Sequence, residues 1–143
     1  MRSLRVRWIR CVAETARRSV ARITVALLLV ILLGLGSRSG HEVIPVWLAE
    51  NAGDALWTVA AYLGFALLFR GRSAGVLLVL ALATSFAVEL SQLIEAQWLE
   101  DLRSTTPGRL LLGQGWQWMD LPRYAAGAVL AYTLDRCGLF APK

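Results

Sequence analysis

The sequence predicts an all-α protein, an integral membrane four-helix bundle with both termini cytoplasmic. Three observations predict it. First, 57% of the 143 residues are hydrophobic and only 17% charged, whereas soluble globular domains carry about a quarter charged residues and at most about half apolar ones. Second, the apolar residues are gathered into four blocks of membrane-spanning size, and a helix closes all its backbone hydrogen bonds within itself, as lipid requires. Third, the arginines and lysines fall unevenly between the blocks, which gives an orientation. No long apolar–polar alternation supports a strand reading.

The elements follow in order. Residues 1–22 form a basic leader with Arg2, Arg5, Arg7, Arg10, Arg17, Arg18 and Arg22 against the single acid Glu14. With Trp8 it suits an interfacial helix on an anionic leaflet, and equally a solvated tail. The predicted four-helix domain spans residues 23–135. Block one, Ile23 to Gly36, starts there or already at Val20. A signal peptide has a similar apolar core, but no A-x-A cleavage pattern follows and the leader is long, so an uncleaved helix is expected. Block two runs Gly53 to Phe69, block three Ala74 to Trp98, and block four from Trp116 or Met119 to Leu134. A span needs roughly 20 apolar residues; blocks two to four reach it if their ends lie among headgroups. Residues 136–143 are a short cytoplasmic tail.

Four crossings put the leader, Arg70, Arg72, Arg136 and Lys143 on one side and Arg38, Arg103, Arg109 and Arg123 on the other. The richer side is the cytoplasm by the positive-inside rule. Trp47, Trp57, Trp98, Trp116 and Trp118 then sit at the outer interface, where amphipathic rings prefer to lie. Both cysteines, Cys11 and Cys137, fall in the reducing compartment, where no disulfide is expected. A formal charge of +5 is too localised to suggest nucleic acid. With one histidine, His41, and no Cys-x-x-Cys, no zinc site is argued; neither metal nor cofactor is expected.

The candidate site arises from acids inside apolar blocks. At about 100° per residue, Ser85, Glu89 and Gln92 share one face of block three, while Glu95 lies off it and nearer the surface. Asp54, Thr58 and Ala61 align on block two, and Asp120, Tyr124, Gly127 and Ala131 on block four. Small residues permit close helix approach, so the three stripes are expected to face one another. A charge at mid-membrane depth costs at least about 2.5 to 3.5 kcal/mol, so Asp54, Glu89 and Asp120 need partners, shallow placement or protonation, and Arg38, Arg103 and Arg123 are the candidate partners. If these groups merely cap the bundle, Glu89→Leu is expected to be tolerated. The candidate ligand-binding residues are Arg38, Asp54, Glu89, Gln92, Arg103, Asp120 and Tyr124. The loop of residues 99–119, with its Pro107-Gly108 turn signal, is expected to cover the pocket.

GLGSR (Gly34 to Arg38), GDALW (Gly53 to Trp57), ELSQL (Glu89 to Leu93), Arg103 and LLGQGWQWMDLPRYAAG (Leu111 to Gly127) occur in that order. The set resembles a family of small bacterial membrane proteins known as domain of unknown function 2809, over about residues 30 to 135. More distantly it looks like the VanZ-like proteins, in which an acid opens the second helix, E-x-x-Q ends the third, an Arg follows in the loop and an Asp precedes a glycine-bearing last helix. Asp54, Glu89 with Gln92, Arg103, and Asp120 with Gly127 take those places. Trp57 stands near that pattern's second-helix histidine, and Tyr124 replaces its final asparagine.

The resemblance implies a bacterial inner (cytoplasmic) membrane protein of the cell envelope; VanZ-like proteins are associated with low-level teicoplanin resistance. Three functions are compatible with the residues. The expected one is an accessory protein binding a lipid headgroup, lipid-linked or other small polar ligand from the outer leaflet, with Arg38 and Arg103 gripping an anion. An enzyme acting on a lipid-linked substrate would use Glu89 or Asp120 as general acid or base, with Mg²⁺ or Mn²⁺ on Asp54, Glu89 and Asp120 conceivable from their oxygen chemistry. A carrier would have to be oligomeric, since four helices make a thin wall. Membrane lipids are the expected partners, nucleic acid is not, and the oligomeric state stays open.

Overall fold

The computed structural model describes residues 18–37, 46–113 and 115–142, with the side chains of 46–51 left undescribed. Among the described residues there are six helices and no strand: α1 (Val20–Ser37), α2 (Val46–Leu68), α3 (Ala74–Ser91), α4 (Gln97–Ser104), α5 (Thr106–Leu112) and α6 (Asp120–Arg136).

Two helices are long and apolar enough to cross a membrane: α1, of mean hydropathy 2.3, and α3, of mean hydropathy 2.0. Only 6% of the apolar window of α1 is buried within the fold, and Leu32 and Leu33 are 65% and 61% exposed. That pattern is the reverse of a soluble core helix, which hides such residues. Helix α2 carries a shorter apolar stretch, Ala52–Leu68.

The boundaries differ from the apolar blocks in instructive ways. Helix α2 begins at Val46, so Asp54 sits two turns inside it rather than at its mouth. Block three breaks at Ser91 instead of running to Trp98. The chain there tightens into successive i→i+3 bonds, from the N–H groups of Gln92, Leu93 and Ile94 to the carbonyls of Glu89, Leu90 and Ser91, the usual close of a helix end. Residues 99–119 are not one loop. They contain most of α4 and all of α5, the latter started by Thr105, whose hydroxyl accepts from the Gly108 N–H at 3.1 Å.

Helix α2 is central, packing on α1, α3 and α6, while α3 also packs on α6. The core is built from Ile23, Val59, Tyr62, Leu63, Ala66, Leu77, Ala81, Ala131 and Phe140. At Gly127 the α2 and α6 backbones nearly touch, for a Cβ built there would lie 2.2 Å from the Ala55 carbonyl oxygen. Glycine is the residue that lets two helices close to that distance.

The packed body extends beyond residues 23–135 in both directions. Arg18 and Phe140 are buried, and the Ser19 N–H donates to the Phe140 carbonyl at 2.8 Å. The C-terminal residues therefore fold back onto the start of α1 instead of trailing from it.

Candidate functional site

The three polar stripes do meet. In the middle of the fold the buried hydroxyls of Thr58 on α2 and Ser85 on α3 lie 3.1 Å apart. Each also has a backbone carbonyl of its own helix as a partner, Asp54 for Thr58 and Ala81 for Ser85, so neither leaves a polar group stranded in an apolar core.

One turn further along α3, Glu89 is completely buried. One carboxylate oxygen, Oε1, accepts from the Gln117 N–H at 2.9 Å and the other, Oε2, from the Tyr124 hydroxyl at 3.1 Å. Among the described residues no cation pairs with it. Its satisfaction comes from hydrogen bonds to α6 and to the segment before α6, not from an arginine.

The ion pairing falls to the two aspartates. Arg123 Nη1 donates to Asp120 Oδ1 at 2.6 Å and to Asp54 Oδ2 at 3.1 Å, bridging α6 and α2. The three side chains are part-buried, and Asp120 in the first turn of α6 also faces that helix's positive end.

Beside this bridge lies a cavity of about 430 Å³. Asp54, Trp57, Gln92, Asp120, Arg123 and Tyr124 form its helical walls, and Arg109, Leu110, Gly113, Gly115 and Gln117 close it from the α4–α6 connection. Gly113 is needed here. It ends α5 at φ +67°, and a Cβ would come within 2.6 Å of Gln92 Nε2, which donates to the Leu112 carbonyl at 3.0 Å. Glycine adopts this left-handed conformation without strain.

Two buried polar atoms of the lining have no protein partner among the described residues, the donor Trp57 Nε1 and the acceptor Gln92 Oε1. Buried polar atoms in folded proteins are nearly always satisfied.

The predicted residues are thus distributed unevenly. Asp54, Gln92, Asp120 and Tyr124 line the cavity. Glu89 stands behind Tyr124 and outside the lining. Arg103 is off the cavity as well: its Nη2 donates to the Ser91 carbonyl at 2.5 Å and to the Ser91 hydroxyl at 3.3 Å, a cation on the carbonyl end of α3 where helix geometry favours one. Arg38 lies outside the described residues. Among the described residues no three acidic, histidine or cysteine side chains are grouped to hold a metal, and Arg123 occupies both aspartates.

Trp57, Arg109 and Gln117 are lining residues that stripe reasoning passes over. Trp57 follows Asp54 by three residues on the same helix, a spacing that could have flagged it. The other two come from the connection, where no periodicity operates.

A second polar cluster sits at the opposite end of α6, about 22 Å from Asp120 at 1.5 Å per residue. Arg18 Nη2 pairs with Asp135 at 2.8 Å, both side chains being 6% exposed. Its Nη1 donates to the Arg70 and Arg72 carbonyls at 3.1 and 2.8 Å, and the Tyr62 hydroxyl donates to Asp135 at 2.7 Å. Extending the Asp120–Tyr124–Gly127–Ala131 stripe by one more turn reaches Asp135, so this residue was visible at a spacing of four. Its partner Arg18 was not, being one of seven arginines in the leader.

Among the described residues, fold and site define an all-α protein with two helices long and apolar enough to cross a membrane and a charged cavity between α2, α3, α6 and their connection. The family described as "Protein of unknown function (DUF2809)" matches residues 43–128, and the chain belongs to it. Every described residue of the cavity lies inside that match, whereas Arg18 and Asp135 lie outside it. No solved structure matches the chain.

Proposed function

We propose that this is a multi-pass protein of the bacterial inner membrane, with both termini cytoplasmic, whose cavity opens to the outer leaflet and binds a lipid headgroup or another small polar ligand in an envelope-accessory role. The observation that carries the reading is the pair of unpartnered atoms, Trp57 Nε1 and Gln92 Oε1, in the wall of a charged cavity. A ligand with both an acceptor and a donor satisfies them together. Arg109 adds a cation whose side chain bonds no described residue, and Asp54, Asp120 and Arg123 add further charged groups to the lining.

Membrane residence is supported by the exposed apolar flank of α1, since contiguous exposed apolar surface on this scale marks a membrane or partner contact. Trp98 and Trp118 near the cavity end, 68% and 73% exposed, suit an interfacial belt. The distribution of arginines supports the orientation, and the VanZ-like resemblance supports an envelope role. Two other readings rank lower. An enzyme would need a carboxylate able to exchange a proton with substrate, but Asp54 and Asp120 are engaged by Arg123 and Glu89 is sealed away. A carrier would need access from both faces, yet beneath Glu89 the core is closed by the buried Thr58, Ser85, Tyr62 and Leu77.

The test is native mass spectrometry of the full chain in mild detergent, wild type beside Trp57→Phe and Arg109→Gln. Neither change removes a bond made within the described fold, so both variants stay folded. Wild type should retain a defined small species, and each variant about tenfold less, the worth of one well-placed hydrogen bond. An empty wild-type protein, or equal retention by all three, refutes the cavity as a binding site.

A further inference from the structure

The turn from α2 to α3 carries Arg70, Gly71 and Arg72, all three exposed. Beside it opens a hollow of about 550 Å³, lined by these residues with Leu68 and Phe69. The side chains of Arg70 and Arg72 bond no described residue, and Gly71 between them adds no side chain to the hollow.

The turn is fixed from inside. Buried Arg18 donates from Nη1 to the Arg70 and Arg72 carbonyls at 3.1 and 2.8 Å, and the Arg72 N–H donates to the Phe69 carbonyl at 2.9 Å. Carbonyl oxygens at a turn repel an approaching anion, but these two are taken up by a buried guanidinium. Asp135, the acid beneath the turn, is itself held by Arg18 and Tyr62. Two cations therefore stay available on the outer side of a backbone that cannot swing its oxygens outward.

The turn also lies where two apolar lengths end together. The apolar stretch Ala52–Leu68 of α2 runs up to it, and α3 leaves it at Ala74 as a helix able to cross a membrane. Leu68, Phe69, Val76 and Val79 are exposed around this end. The Phe69 ring stacks on Phe65, with 6.3 Å between centroids, which holds it in place at the edge of the hollow. Cations set beside exposed apolar side chains match an anion joined to hydrocarbon.

We propose that Arg70 and Arg72 hold the phosphate of an anionic phospholipid, whose acyl chains pass along Leu68 and Phe69. This rests on the membrane reading above and is independent of the polar cavity. A guanidinium presents a planar fork of N–H donors that fits phosphate oxygens, and basic groups beside a bilayer are drawn to anionic lipid. A head that carries its own ammonium brings a cation against both arginines, so a net anionic head is preferred to a zwitterionic one. A soluble phosphate lacks the hydrocarbon that the apolar edge of the hollow would cover.

The full chain in mild detergent is given equal concentrations of phosphatidylglycerol and of phosphatidylcholine with the same acyl chains, and the adducts are weighed by native mass spectrometry. Wild type should retain phosphatidylglycerol in preference. Arg70→Gln with Arg72→Gln should lower that adduct about tenfold or more, at about fivefold for each basic group beside anionic lipid. Gly71→Glu sets a carboxylate in the hollow, where a Cβ meets nothing within 4 Å, and should lower it as far. The carbonyls that Arg18 holds are backbone atoms and persist in these variants, so their unfolding midpoints should match wild type. Arg5→Gln with Arg7→Gln removes two charges from the leader and should cost less than fivefold. Equal losses in the two double variants, wild-type retention in the turn variants, no preference in wild type, or unfolding of every turn variant overturns the site. Displacement of the lipid by an equal concentration of glycerol 3-phosphate overturns the lipid as its occupant. None of these results touches the membrane reading, which fails separately if the chain is recovered in solution without detergent.

Discussion

Gly127→Ala should be a destabilising substitution, although alanine is the better helix former by about 1 kcal/mol. The added Cβ would stand 2.2 Å from the Ala55 carbonyl oxygen, 2.9 Å from its carbonyl carbon and 3.0 Å from its Cα. All three are backbone atoms, so no side chain can swing aside. Restoring ordinary contact requires α6 and α2 to part by about 1 Å. Overpacking of this kind costs about 1–3 kcal/mol, before any gain in propensity is counted. Gly64→Ala is the matched control, since a Cβ at Gly64 meets nothing within 4 Å; it should be neutral or stabilising by up to about 1 kcal/mol. Unfolding in detergent followed by circular dichroism reads both. The consequence for the site is specific: Arg123 lies one turn before Gly127, and parting the helices lengthens its 3.1 Å bond to Asp54. Equal stability of the two variants, or a more stable Gly127→Ala, would refute the close approach and the cavity geometry built on it.

Two further outcomes are expected. Arg18→Ala should lower stability by about 3–5 kcal/mol, the cost of leaving one member of a buried ion pair alone, while Tyr62→Phe, which removes one hydroxyl donor from the same carboxylate, should cost less, about 1.5–3 kcal/mol; the same unfolding assay separates them, and a larger effect of Tyr62→Phe would contradict the pairing. Glu89→Leu should not be silent, because it strips the acceptor from the Gln117 amide and the Tyr124 hydroxyl. Hydrogen exchange at the Gln117 amide should quicken in Glu89→Leu and much less in Glu89→Gln, which keeps an oxygen; unchanged protection in Glu89→Leu would show that the carboxylate does not anchor the connection.

The expectation that a leucine is tolerated at position 89 depends on Glu89 belonging to an ion pair. The sequence leaves open a cationic partner, a shallow placement or protonation for this carboxyl, and no spacing in it reveals that a backbone N–H and a tyrosine hydroxyl bond it. Arg103 shows the same limit from the other side. Its charge and its place after α3 are legible, yet a cation near a helix end can reach into a pocket or bond the last carbonyls, and only the placement of α4 beside the end of α3 sends it to Ser91.

What the sequence by itself determined are the quantities that depend on composition and short-range period. The all-α class, the positions of the long apolar helices, and the three stripes that carry Ser85–Glu89, Asp54–Thr58 and Asp120–Tyr124–Gly127 are local properties of 3.6-residue geometry and need no partner to be read. Which atoms of those stripes meet was decided by tertiary structure alone. Arg123 bridges the aspartates while Arg103 turns to Ser91, Glu89 is buried behind the wall instead of on it, and Arg18 reaches across 117 positions of sequence to Asp135. Each of these depends on where a connection of irregular backbone returns, and such a path carries no periodicity. Its course is chosen by the few contacts that satisfy its buried polar groups, among them Gln117 on Glu89 and Gln92 on Leu112, and those contacts exist only once the helices are packed.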